Sequence, residues 1–243
     1  MNPSANPALP SPDPAADAGL VRDATDRFLA AAAQLDEAGV AGPSLLPGWT
    51  RGHVLAHLAR NADALVNVFA GLPMYASAEA RDADIERDAH RPPAVHLDDL
   101  RETAARLDGA FAAQHEADWG RTVELRNGVT DLAYSLPFRR WIEVELHHVD
   151  LGVGYGIDDL PGAFVERELE NMARRFSGHP DLPAAIELRT EDGGRWHTGA
   201  PVDGAAGTLV VAGSPTALVG WLTGRSTGGG LSARDPLPTL PSL

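Results

Sequence analysis

The sequence predicts an α+β protein, a four-helix bundle followed by a smaller α+β domain. Three observations carry that reading. Four stretches of the first 157 residues repeat apolar side chains every three or four positions, the signature of amphipathic helices. After Gly154-Tyr155-Gly156 the pattern changes to short runs rich in β-branched residues. At 243 residues and 44% hydrophobic, the chain has material for a sizeable core. The expected organisation is a disordered tail over 1–15, the bundle over 16–157, the small domain over 158–233 and a tail over 234–243.

In order, residues 16–39 give the first helix, with Leu20, Phe28, Leu29, Ala32 and Leu35 on one face and Gly39 as a stop. Gly42-Pro43 and Pro47-Gly48 make a turn-rich loop. Thr50 is placed to cap a helix from Arg51 to about Phe69. Residues 77–88 form a short charged helix over the surface, and Pro92-Pro93 break the chain. Residues 97–117 give the next amphipathic helix, 120–133 are irregular with extended pieces near Val123 and Leu125, and a helix runs from about Leu136 to Gly154. Beyond it, 161–177 read as helix, 185–190 and 208–212 as strands flanking a segment around Trp196, and Ser214-Pro215 as the start of a last helix to about Gly224.

Composition excludes several kinds of function. Net charge is −14, which argues against nucleic acid and anionic membranes as partners. No run approaches the roughly 18 apolar residues of a membrane span, and the proline-rich start lacks a signal peptide's basic and apolar regions, so a cytoplasmic protein is expected. Cysteine is absent, so there is no disulfide, thiolate nucleophile or sulfur ligand. All 20 basic residues are arginine, which removes Schiff-base and P-loop lysines.

The chemistry concentrates in Arg140-Trp141-Ile142-Glu143-Val144-Glu145-Leu146-His147-His148-Val149-Asp150. Glu143 and His147 stand one turn apart on a helix, directly beside an apolar stripe of Ile142, Leu146, Val149 and Val153. On the helix from Arg51, His57 and Asn61 repeat the spacing on or beside a buried stripe. Facing helices of a bundle build sites from inward side chains, and His57, Glu143 and His147 would give a cation three ligands with a fourth position open. Such a set suits zinc, with nickel, iron and manganese also compatible. His53 and His148 are rival ligands, and His90, His96, His115, His179 and His197 read as surface residues. The plainer alternative pairs Glu143 with Arg140 on the surface and leaves His57 hydrogen-bonded in the core.

The stretch Leu46-Pro47-Gly48-Trp49-Thr50-Arg51-Gly52-His53-Val54-Leu55-Ala56-His57-Leu58-Ala59-Arg60-Asn61 resembles the opening motif of the mycothiol-dependent maleylpyruvate isomerase family. Glu143 to Gly152 resembles its second motif, Gly220-Trp221-Leu222-Thr223-Gly224-Arg225 resembles its arginine-bearing helix end, and Met74-Tyr75 and Glu79-Ala80-Arg81 also fit. The resemblance implies a DinB-like four-helix bundle followed by a small α/β C-terminal domain. It puts the metal ligands on His57, Glu143 and His147, with Arg225 as the arginine that acts in catalysis. Arg81, Arg140 and Asn61 are the candidate substrate-binding residues. The implied cofactors are a divalent metal, with zinc expected, and mycothiol as thiol cosubstrate, which brings the sulfur this chain lacks. The implied reaction is cis-trans isomerisation of maleylpyruvate to fumarylpyruvate by thiolate addition and elimination. A mycothiol S-transferase and a non-enzymatic metal-binding or interaction module are the alternatives.

Overall fold

The computed structural model describes residues 13–182, 184–200 and 207–241, and the chain divides into two compact units between Tyr155 and Gly156. Residues 1–12 of the expected tail lie outside the described residues; Pro14 and Ala15 already belong to the first helix.

Helix α1 spans Pro14–Ala32, two residues earlier than expected. Asp13 caps it, accepting from the amides of Ala15 and Ala16 at 3.1 Å, and Pro14 occupies the first turn. The helix does not reach Gly39. Asp36 instead caps a new short helix, α2 (Glu37–Ala41), by accepting from Gly39 N at 2.7 Å. Helix α3 (Arg51–Phe69) starts at Thr50 as expected. Helix α4 (Ala78–Ala89), capped by Ser77, packs on α3 through Ile85 and Ala89. At the contact, Gly52 leaves no room for a side chain, because a Cβ there would meet the Ala89 carbonyl oxygen.

Helix α5 spans Pro93–Ala112, and the Pro92-Pro93 pair read as a break proves to be its start. Pro93 sits in the first turn, where its missing N–H costs nothing. Strands β1 (Thr122–Glu124) and β2 (Thr130–Leu132) make an antiparallel hairpin whose turn holds Asn127 at φ 62° and Gly128 at φ 72°. Helix α6 spans Leu136–Leu151 and ends at Gly152, which takes the left-handed conformation at φ 64°.

Helix α1 packs against α5 and α6, and α3 packs against the same two, so the four long helices close a ring around Phe28, Leu55, Leu58, Leu107 and Trp141. Each of these side chains contributes roughly 1.5–3 kcal/mol by leaving water. Burial on α6 is broader than one stripe. Val144, Glu145, Leu146, His148, Val149, Asp150 and Leu151 are all covered, whereas Ile142, Glu143 and His147 are only partly so. The expected ligands therefore lie on the most open line of an otherwise enclosed helix.

The second unit contains α7 (Gly162–Arg175), strands β3 (Ala185–Arg189), β4 (Arg195–Gly199), β5 (Leu209–Ala212) and β6 (Ser232–Ala233), and helix α8 (Pro215–Leu222). The sheet order is β4-β3-β5-β6, with β3 and β5 parallel and the other pairs antiparallel. Helix α7 packs against α8 and β4 over Phe164, Leu169 and Met172. Ser214 caps α8 by accepting from Ala217 N at 3.1 Å. The protein is thus α+β, helical first and sheet-bearing second.

Candidate metal centre

The site is assembled from two helices of the first unit. The capped start of α3 fixes the direction of that helix, and His57 sits at its second turn with only 6% of its surface exposed. From α6, Glu143 and His147 leave the same face one turn apart. His57 Nε2 lies 2.9 Å from Glu143 Oε2, and His147 Nε2 lies 3.4 Å from the same oxygen. The two imidazoles stand nearly perpendicular, with ring centroids 4.6 Å apart. One nitrogen or oxygen from each residue lies within 4.8 Å of the others, and this is the group of that kind found among the described residues.

The donor set fits a divalent cation. Two imidazoles and a carboxylate are the ligands of an open zinc-type site. His147 has the outer partner such a ligand needs: its Nδ1 faces Asp150 Oδ2 at 2.8 Å, and Asp150 is 1% exposed. A buried carboxylate there accepts the Nδ1 proton in a hydrogen bond and leaves Nε2, the nitrogen facing Glu143, as the one that would ligate a cation. Glu143 keeps 35% of its side-chain surface open, which leaves an approach from outside the helix pair.

His57 is held differently. Arg81 Nη2 stands 3.2 Å from its Nδ1, and a guanidinium can only donate. Nδ1 is therefore an acceptor in this arrangement, and Nε2–H points at Glu143. For Nε2 to ligate a cation, Nδ1 would have to carry the proton, and the guanidinium would have to leave it.

Charges follow from these contacts. Burial, opposed by the hydrogen bond to Glu143, brings His57 down to about 4. Burial also works against ionised Glu143, but hydrogen bonds from His147 and His57 outweigh it and hold the carboxyl well below its ordinary range. His147 is likewise disfavoured as a cation by burial, yet its bonds to Asp150 and Glu143 raise it above the usual imidazole value.

Three of the other site residues expected from the sequence, Arg81, Arg140 and Asn61, belong to the same unit as this group. Arg81 also bonds Asp82 at 2.7 Å and lies over the Tyr75 ring at 5.9 Å. Arg140 is not a surface partner of Glu143. It is 2% exposed, donates to Leu58 O at 2.9 Å and to Asn61 Oδ1 at 2.7 Å, and burial lowers it to about 10. Asn61 is buried with it. Arg225 belongs to the second unit, just after α8, where it donates to Thr223 O at 2.7 Å.

Two rivals are removed. His53 Nδ1 accepts the Thr50 amide at 3.2 Å, which puts its proton on Nε2, facing Glu86 Oε2 at 3.1 Å, so neither nitrogen is free to ligate. His148 stacks on Tyr155 at 3.9 Å and meets the edge of Phe28, away from Glu143. Beside it, Glu145 is fully buried and accepts from Arg27, Trp141 and Tyr155 at 2.6–2.9 Å. His96, expected on the surface, is 2% exposed, because α5 begins four residues earlier than expected and draws it into the packing. Asp150, three residues after His147 on the same helix, becomes its partner, and that spacing is the signal that points to it.

Residues 21–152 match the family model of the mycothiol maleylpyruvate isomerase N-terminal domain, and residues 159–242 match the MDMPI C-terminal domain. Among solved structures, the chain is similar to a crystal structure of the mycothiol-dependent maleylpyruvate isomerase. Identity is 28% over 97% of this chain and 98% of that one, with a TM-score of 0.85. A crystal structure of a histidine-to-alanine mutant of a mycothiol-dependent maleylpyruvate isomerase matches with the same values. No curated protein matches by sequence.

Proposed function

The chain belongs to the mycothiol maleylpyruvate isomerase family, and on that premise we propose that it is a metal- and mycothiol-dependent enzyme converting maleylpyruvate to fumarylpyruvate. The observation that carries the reading is the convergence of His57, Glu143 and His147 from two helices, with an accessible side at Glu143. These three residues would hold the cation, for which zinc suits the ligand set. A divalent cation there would supply the positive charge that keeps a thiol deprotonated at neutral pH. Since the chain has no cysteine, the sulfur comes from the cosubstrate.

The reaction needs no net redox change. The thiolate adds to one carbon of the cis double bond, and the electron pair moves onto the adjacent carbonyl as an enolate. The former double bond, now single, rotates. The enolate collapses, the C–S bond breaks, and the trans isomer leaves with the thiolate regenerated. The protein's part is to position the partners and to neutralise the enolate and the carboxylates. Arg81, once clear of His57 Nδ1, is a guanidinium within reach of the site for a substrate carboxylate. Arg140 and Asn61 bond each other, and we give them the role of a fixed positive wall behind Glu143 rather than a mobile clamp. Arg225 is proposed as a further carboxylate ligand on the family resemblance alone. The thiol pool such an enzyme uses supports a cytoplasmic setting; among the described residues no helix is long and apolar enough to cross a membrane.

Purified protein incubated with mycothiol and maleylpyruvate is expected to yield fumarylpyruvate with thiol returned unchanged. A stable thioether adduct would make it an S-transferase. His57→Ala, Glu143→Ala and His147→Ala should each lose bound metal and activity together. Absence of stoichiometric metal and of thiol turnover in the unaltered protein would leave only a non-catalytic module.

A further inference from the structure

Helices α1 and α5 supply no ligand to the metal centre, yet a cavity of about 270 Å³ opens between them. Val21, Thr25 and Leu29 succeed one another every four residues and so leave one face of α1. Ala104, Leu107 and Phe111, three and four apart, do the same on α5. Val21, Thr25, Leu107 and Phe111 are buried, so the space reaches into the bundle instead of lying on its surface. Arg22 and Asp108, paired at 2.6 Å and about half exposed, stand at the rim. The volume lies just below that of drug-sized sites, roughly 300–1,000 Å³, which limits an occupant to a small molecule.

The inner side is closed by Arg140 of α6, which is 2% exposed. Its Nη1 donates to Leu58 O at 2.9 Å and to Asn61 Oδ1 at 2.7 Å, both neutral acceptors. Nε and Nη2 donate to no described residue, and no described carboxylate forms an ion pair with the guanidinium. Neither nitrogen is sealed in the packing as Arg60 Nε is. Nε–H and one Nη2–H point the same way, the fork that a carboxylate meets with two parallel hydrogen bonds. The acids whose charges reach Arg140 are engaged elsewhere: Glu143 with His57 and His147, and Asp63 with Arg106 at 2.6 Å.

A cation taken out of water without a paired anion is costly, and a carboxylate on the open fork relieves that cost. Thr25 offers no competing donor, because its hydroxyl donates to Val21 O at 2.7 Å. The rest of the buried wall is apolar, so an occupant needs an apolar body behind its charged end.

We infer that this cavity binds a small monocarboxylate with an apolar body, its carboxylate forked on Arg140 Nε and Nη2 and its body against Leu29, Leu107 and Phe111. The site needs neither the cation nor the thiol, so it stands apart from the reaction proposed above. The probe is benzoate, titrated into the purified protein and followed by ligand-observed NMR, with benzamide as a neutral control of the same shape. Benzoate is expected to bind, and benzamide to bind more weakly by about tenfold, the factor that a charge-assisted hydrogen bond carries. Ala104→Phe fills the cavity from the α5 side, and Arg140→Met removes the guanidinium; each is expected to weaken benzoate by a similar factor. Thermal melts establish that each variant is folded. Should Arg140→Met fail to fold, Ala104→Phe and the benzamide comparison decide. No benzoate binding, equal binding of benzamide, or unchanged binding to folded Ala104→Phe overturns the assignment. A chelator separates the cavity from the metal centre. Benzoate that stays bound to metal-stripped protein supports the cavity, whereas binding that disappears with the metal belongs to His57, Glu143 and His147 and overturns it.

Discussion

Replacing Asp150 by asparagine removes a charge but keeps an acceptor for His147. In the folded protein Asp150 is 1% exposed, and its Oδ2 lies 2.8 Å from His147 Nδ1. Its ionised form makes His147 a better donor through Nε2 and fixes the tautomer that a ligand needs. Loss of such an outer partner weakens metal binding by about 10–100-fold, which corresponds to about 1.4–2.7 kcal/mol. Asp150→Asn should fall near the lower figure, because the amide oxygen still accepts from Nδ1. Asp150→Ala should approach the upper one, since it leaves the imidazole N–H buried and unpaired at a further cost of about 1–3 kcal/mol. The assay is competition for zinc against a chromogenic chelator, with circular dichroism to confirm the fold. A folded Asp150→Asn protein that holds zinc as tightly as the unaltered one, together with an Asp150→Ala protein that does the same, would refute the proposed orientation of His147.

Three other outcomes are expected. Arg81→Gln should tighten zinc binding by about tenfold, because it removes a donor that competes for His57 Nδ1 and is worth about 1.5–3 kcal/mol before its other bonds recover part of it; the same variant should raise the substrate KM, and unchanged zinc affinity would contradict the tautomer argument. Glu168, 1% exposed on α7, is raised by burial to about 7 against an ordinary value of 4.5, so ionising it works against the fold. Stability should therefore decline as pH rises from 4.5 to about 7, by on the order of 3 kcal/mol; urea unfolding on either side of that window should show a loss that Glu168→Gln abolishes, and an identical loss in both proteins would exclude this carboxyl. Gly52→Ala should destabilise the protein by about 3 kcal/mol through overpacking against the α4 backbone, and a thermal midpoint equal to that of the unaltered chain would show that the helix pair gives way more easily.

The legible parts of this sequence are those where a local pattern and a tertiary demand coincide. Thr50 before α3 and Ser214-Pro215 before α8 mark helix starts because capping depends on a few neighbouring residues only. Glu143 and His147 are readable as a pair for the same reason, since a helix brings residues four apart to one face without help from elsewhere. Where a second local signal competes, the reading fails: Asp36 ends the run from α1 by capping α2, and Pro93 starts α5 where a proline pair suggests an interruption. Strands β4 and β6 escape a reading by pattern because their residues, such as His197 and Ser232, carry no alternation of their own and are strands by virtue of pairing with β3 and β5. Long-range polar contacts are the least accessible. Arg140 looks like a solvated neighbour of Glu143 in the sequence, yet it crosses the bundle to Leu58 and Asn61, 82 and 79 residues away. Arg81 reaches His57 from a helix that reads as surface decoration. Helical spacing can thus propose ligands one turn apart, whereas the groups that tune those ligands become visible only when separate helices are packed together.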